Sequence, residues 1–512
     1  MPRMMYFLTV IVAATLLAAC GHGDDGAPSV TPPPATPTRG QLLSTPTMAG
    51  SYSASDLLSM LTSDPLGKEL LQLTFSPTCT VNVYHMEYET VGGAGEATTA
   101  SAALMVPTGS AASCSGARPV VMYAHGTNAS KTLNMADLTN NSEGLLMASI
   151  FASQGYIVVA PNYAGYDTST LPYHPYLNGD QQSKDMIDSL AAARSAYATA
   201  STSDNGKLFI TGYSQGGYVA MATHKAMQAA GTTVTAAAPM SGPYALAATA
   251  DAIFAGEVNA SGPENLNLVV TSYQHSYQNV YTSPTDVYEA QYASGADELL
   301  PSATAISTIY ANGQLPQNVL FNITPPSPAY ASITPATTPA NLAPVFALGF
   351  GTPDLVTNAY RLSYLQDAAA NPDGGFPTAT TGVPAAAPAL AIRQDFKTND
   401  LRNWAPTAPV LLCAGDSDPT VFYFNTQLIQ SYWATAAPTA TVTVLDVDSS
   451  PSSGDPYANE KTGFAAAKAA VEAAAIVGGA TDGGAMAVLQ DYHATLVPPF
   501  CVYAVKSFFD GF

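Results

Sequence analysis

The 512-residue sequence predicts an α/β domain: a mostly parallel sheet with helices on both faces and a large, mainly helical insertion. Three observations predict it. Short apolar runs alternate with stretches of helical spacing, the pattern of parallel strands buried on both faces. The turn Gly212-Tyr213-Ser214-Gln215-Gly216-Gly217 falls between one such run and one such helix. Between Pro239 and Pro409 the alternation stops, over a distance too great for a plain loop.

Arg3 precedes an apolar run from Tyr6 to Ala19, which is too short to span a bilayer and has the form of a signal-peptide core. It ends Leu17-Ala18-Ala19-Cys20-Gly21, which resembles the bacterial lipobox. That resemblance implies a signal peptide over 1–19 and lipidation of Cys20. Gly21 after the cysteine implies outer-membrane sorting, so the protein is expected to be exported and to face the periplasm or the cell surface. Residues 20–50 are rich in Pro and Thr and predict an extended tether. No later stretch reaches ~18 apolar residues, so membrane contact is expected only through the lipid anchor.

Lys and Arg number 16 against 37 Asp and Glu, for a formal charge of −21. That excludes nucleic acid as a partner, because binding there comes from neutralising phosphates. With 47% hydrophobic and only 10% charged residues, the chain is not globally disordered. Besides Cys20 there are Cys79, Cys114, Cys413 and Cys501. An even number in an exported chain predicts two disulfides. Four cysteines allow three connectivities; Cys79–Cys114 and Cys413–Cys501 are expected, because each pair brackets one region of the sheet.

The domain should then run in order. Strands are predicted at Val81–Tyr88, Ala97–Met105, Pro119–Ala124 and Tyr156–Ala160, followed by a helix over Gln181–Ala198. Lys207–Thr211 is a strand, Gly216–Ala230 a helix and Val234–Pro239 a strand. Late strands lie at Pro409–Ala414 and Ala440–Asp446, and Val502–Phe509 closes the fold as a helix. The domain is therefore split into 51–244 and 401–512, with a cap over 245–400. Within the cap, Leu246–Phe254, Pro284–Ala293 and Asp354–Ala370 read as helical. Its Phe254, Tyr288, Tyr292, Phe346, Leu348, Phe350 and Tyr360 are expected mostly to pack within it, with a subset facing a pocket.

Four motifs carry chemistry. Ser214 has the G-x-S-x-G context, strand before and helix after, that lifts a nucleophile clear of a sheet; small residues two before and two after let strand and helix approach. His125-Gly126-Thr127 ends the strand 119–124 and predicts an oxyanion hole from the amides of Thr127 and Gln215, with His125 organising the loop. Gly415-Asp416-Ser417-Asp418-Pro419-Thr420-Val421 follows a late strand and offers Asp418 as the triad acid, with Asp416 as fallback. His493 is the only histidine after Asp418, so the order is Ser214, Asp418, His493. His22, His85, His224 and His275 read as tether, strand, packing and cap residues.

Together HGT, GYSQGG, GDSDPTV and DYH resemble the α/β-hydrolases of the esterase and lipase type. Ala160-Pro161-Asn162-Tyr163 and His174-Pro175-Tyr176-Leu177 are similar to stretches of capped bacterial and fungal secretory lipases. The resemblance implies the α/β-hydrolase fold and cleavage of a small-molecule or lipid carboxylic ester. It implies a Ser214–Asp418–His493 triad and an acyl-enzyme intermediate, with no metal or organic cofactor. Two alternatives stay open: an exported serine peptidase or amidase, for which Glu289 and Glu298 could hold a substrate ammonium, and a surface-anchored binding protein without catalysis.

Overall fold

The computed structural model describes residues 38–73, 75–373 and 383–512. The signal-peptide reading, Cys20 and the tether up to residue 37 lie outside the described residues.

Nine strands form one sheet: β1 (Thr47–Tyr52), β2 (Thr80–Val91), β3 (Ala97–Thr108), β4 (Arg118–Ala124), β5 (Ile157–Pro161), β6 (Asp204–Tyr213), β7 (Ala236–Met240), β10 (Val410–Ala414) and β11 (Val442–Asp446). Two-residue strands β8 (Phe321–Asn322) and β9 (Phe350–Gly351) pair in the insertion. The order across the large sheet is β1-β2-β3-β5-β4-β6-β7-β10-β11. From β5 to β11 every pairing is parallel, and β1, β2 and β3 join antiparallel at one edge. All residues of β5, β7 and β10 are buried, as an unbroken apolar run requires when both faces of a sheet are covered. Helices Gly179–Ala196 and Gln215–Ala229 pack together against the sheet; Ser142–Ile150 and Val497–Phe509 form a second such pair.

The expected strands and helices of the sheet lie where the sequence puts them, within a few residues. The tether differs. Residues expected to remain extended up to residue 50 already belong to the domain: Gly40 and Leu43 donate to the carbonyls of Glu89 and Glu87, and β1 pairs with β2. Arg39 forms an ion pair with Asp188 at 2.9 Å. The strand TMAGSY has no alternating apolar pattern, because it is an edge strand with little buried on either face.

Between β7 and β10 the chain makes its long excursion. Leu246–Phe254 is a helix as expected, and Asn358–Ala370 falls inside the helix expected at 354–370. Pro284–Ala293 is instead two short turns of helix, separated near Val287–Glu289. Gly262–Tyr277 is an additional long helix. Buried charge ties the excursion together: Arg393 meets Asp251 and Asp367, each at 2.9 Å, and Tyr364 donates to Asp251. Such pairs are costly to break singly, because the survivor is left as an unpaired buried charge.

Both expected disulfides are present. Cys79–Cys114 joins the ends of the β2–β3 hairpin, and Cys413–Cys501 joins β10 to the last helix across 88 residues of chain. In the chain-entropy view, closing that second loop stabilises by about 4–5 kcal/mol. Peptide mapping without reduction should therefore recover Cys413 and Cys501 together, and Cys413→Ser/Cys501→Ser should lower the denaturation midpoint markedly. Free thiols at both positions would contradict the pairing.

Candidate active site

The carboxyl ends of β4, β6 and β10 converge, and each delivers one motif. At the end of β6 the chain turns sharply into helix Gln215–Ala229, and Ser214 stands on the turn with φ 59° and ψ −123°. Such a conformation is strained for a serine and persists only when its surroundings over-determine it. Here they do. The Ser214 amide donates to Met240 and its carbonyl accepts from Gly217. A Cβ on Gly212 would stand 2.3 Å from the Gly216 carbonyl oxygen, and one on Gly216 would stand 1.9 Å from that of Ala124. No side chain fits at either place.

Ser214 Oγ lies 2.7 Å from Nε2 of His493, and Nδ1 of His493 lies 2.6 Å from Oδ2 of Asp418. The carboxylate can only accept, so Nδ1 carries the proton and Nε2 is free to accept from the serine hydroxyl. Asp418 is fully buried, and its other oxygen accepts from the amides of Thr420 and Val421 at 2.9 and 3.0 Å. Asp416, the fallback, is exposed; its carboxylate accepts from Ser417 and its amide donates to Asp446. The residue that meets His493 is Asp418.

Tyrosines that the sequence reading left without a role hold this chain in place. Tyr213 donates to the His493 carbonyl at 2.6 Å. Tyr492 donates to Asp448 at 2.8 Å and accepts from the Ser417 amide, which pins the acid loop to the histidine segment. His493 itself sits in a widened helical turn, Tyr492–Leu496, between helices Ala485–Asp491 and Val497–Phe509. Tyr213 stands inside the GYSQGG motif, which was the available signal; Tyr492 neighbours His493 but nothing in its spacing marks it.

Thr127 and Gln215 both line a cavity of about 350 Å³ that opens on Ser214 and His493. Gln215 opens its helix, where backbone N–H groups have no intrahelical acceptor. Its side chain is tied back, with Nε2 2.6 Å from Nε2 of His174. Nδ1 of His174 faces the Ala164 carbonyl at 2.9 Å and donates to it, leaving Nε2 to accept from the glutamine. His125 points away from Ser214, with its ring nitrogens facing the carbonyls of Gly126 and Asn162. His125 stacks on Tyr163, which stacks on His174, with ring centroids 4.1 and 5.6 Å apart. Burial pushes His125 down to about 4 and His174 down to about 3. His224 packs on Trp404, His85 pairs with Asp167 and His275 stacks on Tyr173, all away from the cavity.

The insertion contributes Thr249, Ile253, Asn259, Ser261, Glu264 and Asn265 to the cavity wall. None of the seven apolar residues singled out in the sequence lines it. Phe254 stacks on Tyr364 at 3.7 Å, and Phe350 lies under the Arg361 guanidinium. Most of the large aromatics pack inside the insertion, as expected, but Phe254 also lines a smaller apolar pocket that shares Thr249, Ile253, Asn259 and Asn265 with the cavity wall. Glu289 and Glu298 are not in the wall either; Glu264 is.

Two outcomes follow. Asp418→Asn should lower kcat by about 10³–10⁴ because the imidazole tautomer is no longer fixed, while Asp416→Asn should change it little; steady-state kinetics on a chromogenic ester decide between them. Nitrogen shifts of labelled histidine side chains should show His125 and His174 neutral from pH 8 down to pH 5, because burial lowers both below that range.

Residues 144–290 match the family model of the prolyl oligopeptidase family. Among solved structures, the rice cell wall degrading esterase LipA from Xanthomonas oryzae superposes with a TM-score of 0.65 at 25% identity, over 92% of this chain and 98% of that one. A hydrolase from Legionella pneumophila superposes with a TM-score of 0.59 at 19% identity, over 79% of this chain and 92% of that one, and so shares the fold. No curated protein matches the sequence.

Proposed function

We propose that this chain, which has the α/β-hydrolase fold, is a serine esterase that hydrolyses carboxylic esters through Ser214, His493 and Asp418. The observation that carries the reading is the unbroken Ser214–His493–Asp418 hydrogen-bonded series at the mouth of a cavity. His493 takes the proton of Ser214 as its oxygen attacks the ester carbonyl. Asp418 holds the imidazole in the required tautomer and stabilises its cation. The amides of Gln215 and Thr127 receive the oxyanion, and each such donor is worth about 10²–10³ in rate. His493 then protonates the departing alcohol, and in the second half it activates water to release the acid. The resemblance to the esterase LipA along nearly the whole chain supports an ester as substrate.

The two disulfides support export to an oxidising compartment. Among the described residues no helix is long and apolar enough to cross a membrane. Attachment through a lipidated Cys20 is part of the proposal and rests on the sequence Leu17–Gly21.

A peptidase or amidase reading has its own observation. The prolyl oligopeptidase family model covers Ser214 and the start of the insertion, and Glu264 places a carboxyl in the cavity wall where a substrate amine would be held. Burial raises the Glu264 carboxyl, against the hydrogen bond from Tyr310.

A fluorophosphonate probe should label wild-type protein and not Ser214→Ala. Ser214→Ala and His493→Ala should each remove nearly all hydrolysis of p-nitrophenyl esters while preserving the thermal transition. The double variant should be scarcely worse than either single, because the two act as one unit. Turnover of aminoacyl anilides without ester turnover would establish the peptidase reading instead, and absence of labelling would leave a binding protein.

A further inference from the structure

One carboxyl group beside the site has no part in the mechanism above. Glu143 stands in the first turn of helix Ser142–Ile150, which Asn141 caps by accepting from the Gly144 amide at 2.7 Å. Its carboxylate reaches the cavity wall. It accepts from the Gly126 amide through both oxygens, at 3.2 and 3.1 Å, and from the Tyr123 hydroxyl at 2.6 Å. Gly126 is the residue immediately before Thr127 and passes close to Ser214. A Cβ placed on it would lie 3.2 Å from Glu143 Oε1 and 3.6 Å from Ser214 Cβ.

Both ends of Gly126 are therefore fixed. Glu143 holds its N–H, and Nδ1 of His125 stands 2.7 Å from its carbonyl oxygen. In a trans peptide the next N–H points opposite to the carbonyl. With the Gly126 carbonyl turned to His125, the Thr127 N–H is turned the other way. The direction of the proposed oxyanion donor thus depends on the two groups that clamp the residue before it.

Charge gives Glu143 a second effect. Burial leaves the Glu143 carboxyl raised above its usual value; the bonds from Tyr123 and Gly126, and then a favourable interaction with His493, act against that rise. Besides His493, the titratable groups facing it are Tyr123 on β4, Tyr163 after β5 and Tyr213 at the end of β6, all raised well above their usual range and so neutral. His493 in turn faces Asp418 and Tyr213.

We propose that Glu143 is a positioning residue for ester hydrolysis: it clamps the Gly126 amide so that the Thr127 N–H meets the oxyanion, and its charge supports the His493 cation formed in the transition state. The proposal rests on the esterase reading above.

The test uses the full chain, p-nitrophenyl acetate and the fluorophosphonate probe, over about pH 5 to pH 9. Glu143→Gln keeps the shape and an acceptor oxygen but removes the charge. It should lower kcat by about ten-fold or more with KM changed less than about three-fold, and slow labelling of Ser214 in step. The acid limb of its kcat/KM profile should move to lower pH, because a negative charge that favours the protonated base is gone. Glu143→Asp keeps the charge and shortens the reach; it should lower kcat with the acid limb left in place. Thermal unfolding of both variants checks that the fold is intact. A purely structural role would change the melting temperature without moving the acid limb. Wild-type labelling and hydrolysis combined with a Glu143→Gln enzyme of unchanged kcat and unchanged acid limb overturns the proposal and leaves the esterase reading standing. If wild-type protein neither takes the probe nor cleaves the ester, the esterase reading fails and this proposal falls with it.

Discussion

Everything at the site depends on how closely three pieces of backbone can approach at one point. The end of β4, the end of β6 and the first turn of helix Gln215–Ala229 meet where Gly212 and Gly216 leave no space even for a methyl group. That contact sets the strained angles of Ser214, and the strain is held by amide bonds to Met240 on β7 and from Gly217 on the helix. Because β4 and β7 are the two neighbours of β6, the same packing that raises the serine also fixes the HGT loop on one side of it and the start of the insertion on the other. Residues far apart in the chain inherit their positions from that single crossing.

Around it lies a division of labour among the histidines. Among the described histidines, His493 alone touches Ser214. His125 and His174 are held neutral by burial and act through their rings and hydrogen bonds, stacked with Tyr163 beneath the cavity floor. A neutral imidazole has one donor and one acceptor, which His174 spends on the Ala164 carbonyl and the Gln215 amide group. Were it charged, it could no longer accept from Gln215.

Much of this could be read from the residues. The alternation of apolar runs located the central strands because β5, β7 and β10 are buried throughout and carry no competing signal. Ser214, Asp418 and His493 were legible because each follows a strand or stands alone of its kind in the right order. The rest was hidden for definite reasons. β1 is a polar edge strand. Helix Ser142–Ile150 is buried on nearly every side after its first turn, so it has no amphipathic period, and its Asn141 cap was its one local mark. Glu143 and Tyr492 act across long separations in the chain, and no spacing rule links Glu143 to Gly126 or Tyr492 to Asp448. Most aromatics of the insertion pack within it, as expected, and Phe254 lines the apolar pocket that adjoins the cavity.

The insertion leaves the sheet after β7 and returns to it at β10, and these two strands are hydrogen-bonded neighbours. A parallel pair needs a crossover, but nothing in the pairing sets how long the crossover must be. The length of chain between Met240 and Val410 is therefore not dictated by the register of the sheet. The insertion's Thr249, Ile253 and Asn265 shape the cavity wall, while Asn259 and the Ala260 amide donate to the carbonyls of Thr420 and Pro419 and so tie the insertion to the loop that carries Asp418.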